Sequence, residues 1–333
     1  MERIAIIGLG LIGGSLGLAI KRADIGEVEI AGTARTWDTV QRAKKLRAID
    51  IDAGTPAEAV EGARVVIVAS PIIAMQGIFA AIAPALVEGA VVTDVASTKG
   101  QVMRWAKELL PPTVHFVGGH PMAGKENQGI DAADADLFRG KPWVISPSVD
   151  ASEAAVMSVL GLAQAVGAEP LFMDADEHDS YAAAISHLPL LLSSALFSVA
   201  QSSAAWPEMA HLASSGFRDT TRLASGSPEM AHDIMVSNKQ NVLHWLDRYI
   251  DELSRFRAVI AEGETKAVLE AFARPQMERE NFMENGPPRR DISPPIETAS
   301  LSDMLFGTKI TGYMKKQQEM LKAAEARVNG KRP

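Results

Sequence analysis

The chain opens with an apolar run, Arg3-Ile4-Ala5-Ile6-Ile7, that stops at Gly8-Leu9-Gly10-Leu11-Ile12-Gly13 and resumes as a helical pattern from Gly14 to Arg22. Few folds accept three glycines at that spacing between a buried strand and a helix. The first makes a tight turn, the second lets backbone amides approach a bound group, and the third lets helix and strand pack closely. The positive end of the helix then favours a pyrophosphate. A dinucleotide-binding unit is expected, with Gly8, Gly10, Leu11, Ile12 and Gly13 at the cofactor. The same stretch mimics a secretory leader, with Glu2-Arg3 before the apolar residues Ile4 to Ile20. Glycine at 8, 10, 13, 14 and 17 weakens such a helix, and no small-residue cleavage site follows Lys21-Arg22.

Downstream, short β-branched runs alternate with helical segments. Val28 to Gly32, Val65 to Ala69, Val91 to Val95 and Thr113 to Val117 read as strands, and Trp143 to Ile145 and Pro170 to Met173 as two more. Thr39 to Leu46 and Ser152 to Val166 read as helices. This alternation predicts a Rossmann-type, doubly wound, mostly parallel sheet of the α/β class. From Asp174 strand patterns vanish. Asp176 to Ala200, Trp206 to Ser214, Pro228 to Ile260 and Glu264 to Arg274 read as helices, the first capped by Asp174 or Asp176. Leu188 to Ala200 is too short for a bilayer and reads as a buried helix. Residues 275–298 hold Pro275, Pro287, Pro288, Pro294 and Pro295 and read as an extended linker, with a short charged helix at Gly312 to Val328. Three spans are expected: 1–174 dinucleotide-binding, 175–274 all-α and dimer-forming, and 275–333 linker and tail.

A length of 333 residues fits about two domains at ~150 residues each. Net charge of -8 argues against a nucleic-acid binder. Zero cysteines exclude disulfides and thiolate metal sites and fit a cytoplasmic, non-membrane protein.

Candidate site residues fall at the carboxyl ends of the strands, where open α/β sheets bind ligands. After the second strand an NAD site usually offers a carboxylate for the ribose hydroxyls. Here Gly32-Thr33-Ala34-Arg35-Thr36 has none, so Ala34, Arg35 and Thr36 favour the 2′-phosphate of NADP over NAD. Ser70-Pro71 closes the third strand beside the cofactor. Ser97 reads either as the N-cap of the helix near Lys99 or as a hydroxyl bonded to His120 or substrate. His120, in the glycine-flanked turn Gly119-His120-Pro121-Met122-Ala123-Gly124, is placed to handle a proton beside a nicotinamide. In the helical half, His187 lies in an apolar helix, where most histidines are core residues. Arg218 and Arg222 are four apart and share a helix face, as an anion site requires.

These segments, with Asp94 to Lys99, Asp174 to Pro189 and Phe217 to Ala224, make the chain resemble the prephenate/arogenate dehydrogenase family of tyrosine biosynthesis over residues 1–275. The resemblance implies a Rossmann-type domain, a helical dimerisation domain and a substrate pocket between them. It implies oxidative decarboxylation of a cyclohexadienol, with hydride passing to NAD(P). His120 matches the catalytic histidine, Ser97 the serine that positions it, His187 a histidine near substrate, and Arg222 the arginine that binds a substrate carboxylate. Arg218 lies where other members carry a basic residue. Ala34-Arg35 looks more like the NADP-linked arogenate branch, and the tail looks too short and proline-broken for a regulatory ACT domain. Two other readings compete. A 3-hydroxyacid dehydrogenase relies on a catalytic lysine in its helical half, and Lys239 sits in no matching motif. A non-catalytic nucleotide sensor needs Gly8, Gly10 and Gly13 but not Ser97, His120 or Arg222.

Overall fold

The computed structural model describes residues 2–23 and 25–286. They form two compact units, described here separately. The first runs to His178 and also takes in Ser227–Ser237; the second holds Asp179–Gly226 and the chain from Asn238. Ser227–Ser237, expected within the helical domain, thus returns to the first unit. There the Asp233 carboxylate accepts from the Ile73 amide (3.1 Å), and the Thr98 and Ser237 hydroxyls meet at 2.9 Å.

The first unit is built on an eight-stranded sheet of order β3-β2-β1-β4-β5-β6-β7-β8. Its strands are β1 (Glu2–Ile7), β2 (Val28–Thr33), β3 (Ile51–Asp52), β4 (Val65–Val68), β5 (Val91–Asp94), β6 (His115–Pro121), β7 (Pro142–Pro147) and β8 (Glu169–Phe172). Neighbours run parallel except β6 and β7. Helices α1 (Leu11–Arg22), α2 (Trp37–Lys45), α3 (Pro56–Val60), α4 (Ala74–Ile82), α5 (Gly100–Leu109) and α6 (Glu153–Ala165) accompany the strands. The central strands are apolar on both faces, as burial on both sides demands. Ile4, Ile6, Ile67, Leu16 and Trp143 are fully buried in one continuous core. β3, α3 and α4 escaped the sequence reading: β3 is two residues long, and Ala74–Ile82 is too uniformly apolar to show a helical period.

β6 departs from expectation in a way that matters. Its pairing with β5 ends at Val117↔Thr93, but the strand continues to Pro121 against antiparallel β7, with His120 opposite Val144. His120 is therefore a strand residue, not a turn residue. β7 supplies the ladder partners that let β6 run past the end of its parallel neighbour.

A buried ion pair holds this extension. Lys99 and Asp94, both fully buried, form a salt bridge, and Lys99 Nζ also donates to the Gly119 carbonyl (2.6 Å). The Asp94 carboxylate accepts from the amides of Gly119 (3.0 Å) and Ala96 (2.9 Å). Gly119 must be glycine, because a Cβ there would lie 2.5 Å from the Asp94 carbonyl oxygen. Ser97 does not cap α5: the helix starts at Gly100, and Lys99 occupies the cap position while its side chain turns inward.

The second unit is helical: α8 (Leu188–Gln201), α9 (Trp206–His211), α10 (Ser215–Thr221), α12 (Lys239–Glu262) and α13 (Thr265–Asn285). Two elements bound it: α7 (Ala175–Ala182), which enters it from the first unit, and α11 (Pro228–Ser237), which belongs to the first. The Asp174 carboxylate caps α7, accepting from the amides of Asp176 (2.8 Å) and Glu177 (3.3 Å). α7 passes through a widened π-turn, Ala183–His187, into α8, so Ala175–Gln201 is one 27-residue helix. Pro189, lacking an N–H for the preceding turn, accounts for the widening. Among the described residues this is the one helix long and apolar enough to cross a membrane. Leu188 to Ala200 is therefore neither short nor buried as expected: Leu196, Phe197 and Val199 are exposed. Asn238 breaks the expected single helix Pro228 to Ile260 in two.

The linker expected at 275–298 is corrected in its first part, since α13 continues through Pro275 to Asn285. Side-chain bonds four residues apart, Arg274–Glu278, Gln276–Glu280 and Asn281–Asn285, carry the helix past the proline. The expected helix at Gly312 to Val328 lies outside the described residues.

Removing one partner of a buried pair strands the other charge without water, at about 3–5 kcal/mol. Lys99→Met is expected to lower unfolding stability by that amount in urea denaturation. A loss under about 1 kcal/mol would show that the strands are held without the pair.

Candidate active site

Four of the five glycines at the β1–α1 turn each have a close neighbour of their own. Gly8 sits at φ +101, and a Cβ there would lie 2.4 Å from the Ala69 carbonyl oxygen. A Cβ on Gly13 would meet the Gly8 carbonyl oxygen at 1.9 Å, and one on Gly17 the Ala48 carbonyl oxygen at 2.1 Å. Gly14 faces Ile130, whose Cδ1 would be 2.4 Å away. Gly10 alone of the five has no atom within 4 Å of its Cβ position. It is the N-cap of α1, whose first turn carries no acidic side chain. Helix amides, positive helix end and open space thus coincide at one point, and these residues fit the pyrophosphate of a dinucleotide. Leu11 and Ile12 pack partly buried against the core beneath it.

The neighbouring strand ends complete this edge. Ser70 donates to the Ile7 carbonyl (3.2 Å), and Pro71 turns the chain toward α4. Past β2, Ala34 packs against the core and Arg35 is exposed. Thr36 caps α2 by accepting from the Thr39 amide (3.3 Å), and Thr33 is buried in its strand. Arg35 is thus an exposed cation just past this strand end.

Residues after Pro121 return to α1. The Ser15 hydroxyl accepts from the Asp134 amide (2.8 Å), and Ile130 fills the hollow beside Gly14. Ion pairs Arg22–Asp136, Lys125–Asp134 and Arg42–Asp131 line the surface of this return. Hydrogen bonds from Lys125 and Arg22 hold the Asp134 and Asp136 carboxyls below the usual carboxylate range. Exposed pairs add little energy, so the buried Ser15 bond and the Gly14 contact carry the fit.

On the same sheet edge, His120 is 8% exposed and Ser97 half-buried. His120 meets the ring of His178, with Nδ1 of the one 2.8 Å from Nε2 of the other. His178 is 2% exposed. No local spacing marks His178, because its partner stands 58 residues away; it falls within the segment Asp174 to Pro189.

The second unit holds the remaining candidates. His187 is fully buried on the π-turn, where Asn238 reaches its Nδ1 (3.2 Å) and also donates to the Asp179 carbonyl (2.7 Å). Trp245 adds a bond from its indole N–H to the Ser180 carbonyl (3.0 Å). Asn238 had gone unnoticed. Arg218 lies in α10 and Arg222 opens the following 3₁₀ turn, both exposed. The Ser193 hydroxyl anchors this turn through the Thr220 carbonyl (2.6 Å).

A doubly wound sheet, a glycine turn open at a helix N-terminus and a buried histidine at a nearby strand end define a nucleotide-dependent oxidoreductase. Comparison with known proteins carries this further. The family model described as prephenate dehydrogenase, nucleotide-binding domain, matches residues 16–171, and that described as prephenate dehydrogenase, dimerization domain, matches 174–274. The first match begins after the glycine turn, which therefore stands on its own geometry. A prephenate dehydrogenase of Bacillus subtilis (strain 168) is 34% identical over 273 residues, 81% of this chain and 73% of the relative. A cyclohexadienyl dehydrogenase of Zymomonas mobilis is 33% identical over 281 residues, covering 84% and 95%. Among solved structures, Synechocystis arogenate dehydrogenase matches with TM-score 0.72 and 28% identity, over 84% of this chain and all of that one. Prephenate dehydrogenase from A. aeolicus, in complex with hydroxyphenyl propionate and NAD+, matches with TM-score 0.79 and 26% identity over 85% and 98%. The chain belongs to the prephenate dehydrogenase family. Neither the 3-hydroxyacid dehydrogenase nor the nucleotide-sensor reading is favoured.

The glycines separate experimentally. Gly17→Ala is expected to lower the Tm by several degrees with cofactor affinity unchanged once folded, because its clash is with backbone. Gly10→Ala is expected to leave the Tm within about a degree and weaken NAD(P) binding by roughly tenfold, as a lost close approach to phosphate predicts. Calorimetry of both variants checks the pair; equal effects on cofactor binding would remove the special role of Gly10.

Proposed function

We propose that this chain oxidises a cyclohexadienol, prephenate or arogenate, with loss of the ring carboxylate as carbon dioxide and formation of an aromatic ring. The observation that carries this reading is His120, buried on the sheet edge that also bears the open glycine turn. A histidine with a pKa near neutral suits removal of the ring-hydroxyl proton as the carbonyl forms. Ser97, one strand away, offers a hydroxyl to the same oxygen. The nicotinamide, when bound, supplies the hydride acceptor. Gly8 to Gly13 hold its pyrophosphate, with Ser70 and Pro71 alongside. Arg222 binds a substrate carboxylate, Arg218 adds positive charge, and His187, its ring set by Asn238, lies near the substrate. This assignment of roles follows the family resemblance together with each residue's position in its own unit.

NADP is the preferred cofactor in this reading, supported by the missing carboxylate at Ala34 and the exposed guanidinium of Arg35. The chain forms a homodimer through its helical unit, as the dimerization-domain match suggests. Phe197, Ile250, Leu253, Ile260 and Phe272, all 39–57% exposed, supply the apolar surface for it. The enzyme is cytoplasmic and binds neither nucleic acid nor membrane. Asp176, Glu177 and Asp179, at the start of the long apolar helix Ala175–Gln201, are costly in lipid, and the net charge is -8.

Steady-state assays crossing prephenate and arogenate with NAD and NADP test the activity; no turnover in any combination would end the reading. His120→Asn is expected to lower kcat by about 10²–10⁴-fold with cofactor KM unchanged. In the same assay Arg222→Ala is expected to raise substrate KM with a smaller effect on kcat. Sedimentation equilibrium is expected to give twice the chain mass, with Ile250→Asp shifting it toward the monomer.

A further inference from the structure

His120 and His178 meet through their rings. Nδ1 of His120 lies 2.8 Å from Nε2 of His178, with ring centroids 5.0 Å apart and planes at 78°. At that distance a single N–H lies between the two nitrogens, since two protons would clash and two lone pairs would repel. Both side chains are at least nine-tenths buried, so water does not substitute for either partner. The contact lies within the first unit and joins the last turn of chain before Asp179 to the end of β6.

We propose that His178 is a positioning residue for His120, fixing its tautomer and sharing the charge that it gains. This rests on the reading of His120 as the base. With Nδ1–H of His120 donating to Nε2 of His178, the lone pair of His120 belongs to Nε2. In the reaction the substrate O–H bond breaks and an Nε2–H bond forms on His120, leaving an imidazolium. Its Nδ1–H points at the lone pair of His178, which stabilises that cation. Moving the proton breaks Nδ1–H on His120 and forms Nε2–H on His178, so the positive charge passes to the second ring. The logic is that of a base oriented by a third group, with an imidazole where other enzymes use a carboxylate. The buried Asp94 carboxylate at the end of the neighbouring strand β5 is closed on Lys99. The T-shaped ring contact also stops His120 from rotating, which a hydrogen bond to a flexible side chain does not.

Two substitutions and one spectrum test this on the full chain. His178→Phe keeps the ring volume and removes the acceptor; kcat is expected to fall about 100-fold, with substrate and cofactor KM within about twofold. His178→Gln restores an acceptor, and kcat is expected to recover to within about tenfold of the wild type. A kcat within about threefold of wild type in His178→Phe overturns the proposal, as does a rise in KM with kcat unchanged. So does a Gln variant no better than the Phe variant. In the proton NMR spectrum of the ¹⁵N-histidine-labelled wild type, a downfield imidazole N–H is expected, absent from both His120→Asn and His178→Phe. Its absence from the wild type overturns the pair whatever the kinetics. If His120→Asn retains full kcat while that resonance is present, the pairing stands and it is the base assignment that fails.

Discussion

The salt bridge between Lys99 and Asp94 lies where two strands and a helix converge, and the His120 edge of the first unit is organised around it. Neither group reaches water, so the pair is stable only while every hydrogen-bonding position around it is filled. Gly119 fills two of them, giving its N–H to Asp94 and its carbonyl to Lys99. The residue before His120 is thereby bound through both backbone groups to the end of β5. The parallel ladder between β5 and β6 has already ended at Val117, so this clamp and antiparallel β7 hold the histidine where the chain would otherwise turn away. An ion pair that contributes little net stability can still fix a geometry, because its partial disruption is so unfavourable.

The glycine turn follows the opposite logic, in which exclusion of side chains builds the site. Gly8, Gly13 and Gly17 allow backbone to touch backbone, and Gly14 allows the chain after β6 to dock on α1. That docking links the two halves of the edge, since the segment beginning at Met122 starts close to His120 and ends against α1. Only Gly10 leaves space unclaimed by the protein itself. A repeated residue type thus serves three purposes, which differ in what lies beside each Cβ position.

Among the described residues the helical unit leaves apolar surface exposed. Phe197 on α8, Ile250 and Leu253 on α12 and Phe272 on α13 remain open, which accounts for the failure to read Leu188 to Ala200 correctly. An apolar helix that its own chain buries and one that it leaves exposed can have the same composition. The π-turn at Ala183–His187 was equally invisible, although Pro189 is its local cause. Its consequence, the delivery of His187 to Asn238, depends on a residue 51 positions further on.

The strand–glycine–helix unit, the alternating sheet and its change to helices near Asp174 could be read from the chain because each rests on interactions between near neighbours. Turn sterics, strand and helix periodicity and capping by Asp174 act over a few residues, and the amino-acid order records them directly. The resemblance carried by Gly119 to Gly124 singled out His120 for the same reason, as a short local pattern. What lies around His120 was decided by tertiary structure. The extension of β6 required β7, the clamp required Asp94 and Lys99 to meet Gly119, and the ring of His178 arrived from α7. Such contacts form between groups distant in sequence, where no local spacing encodes them. Packing selects them, because a buried polar atom must find a partner wherever the fold brings one within reach.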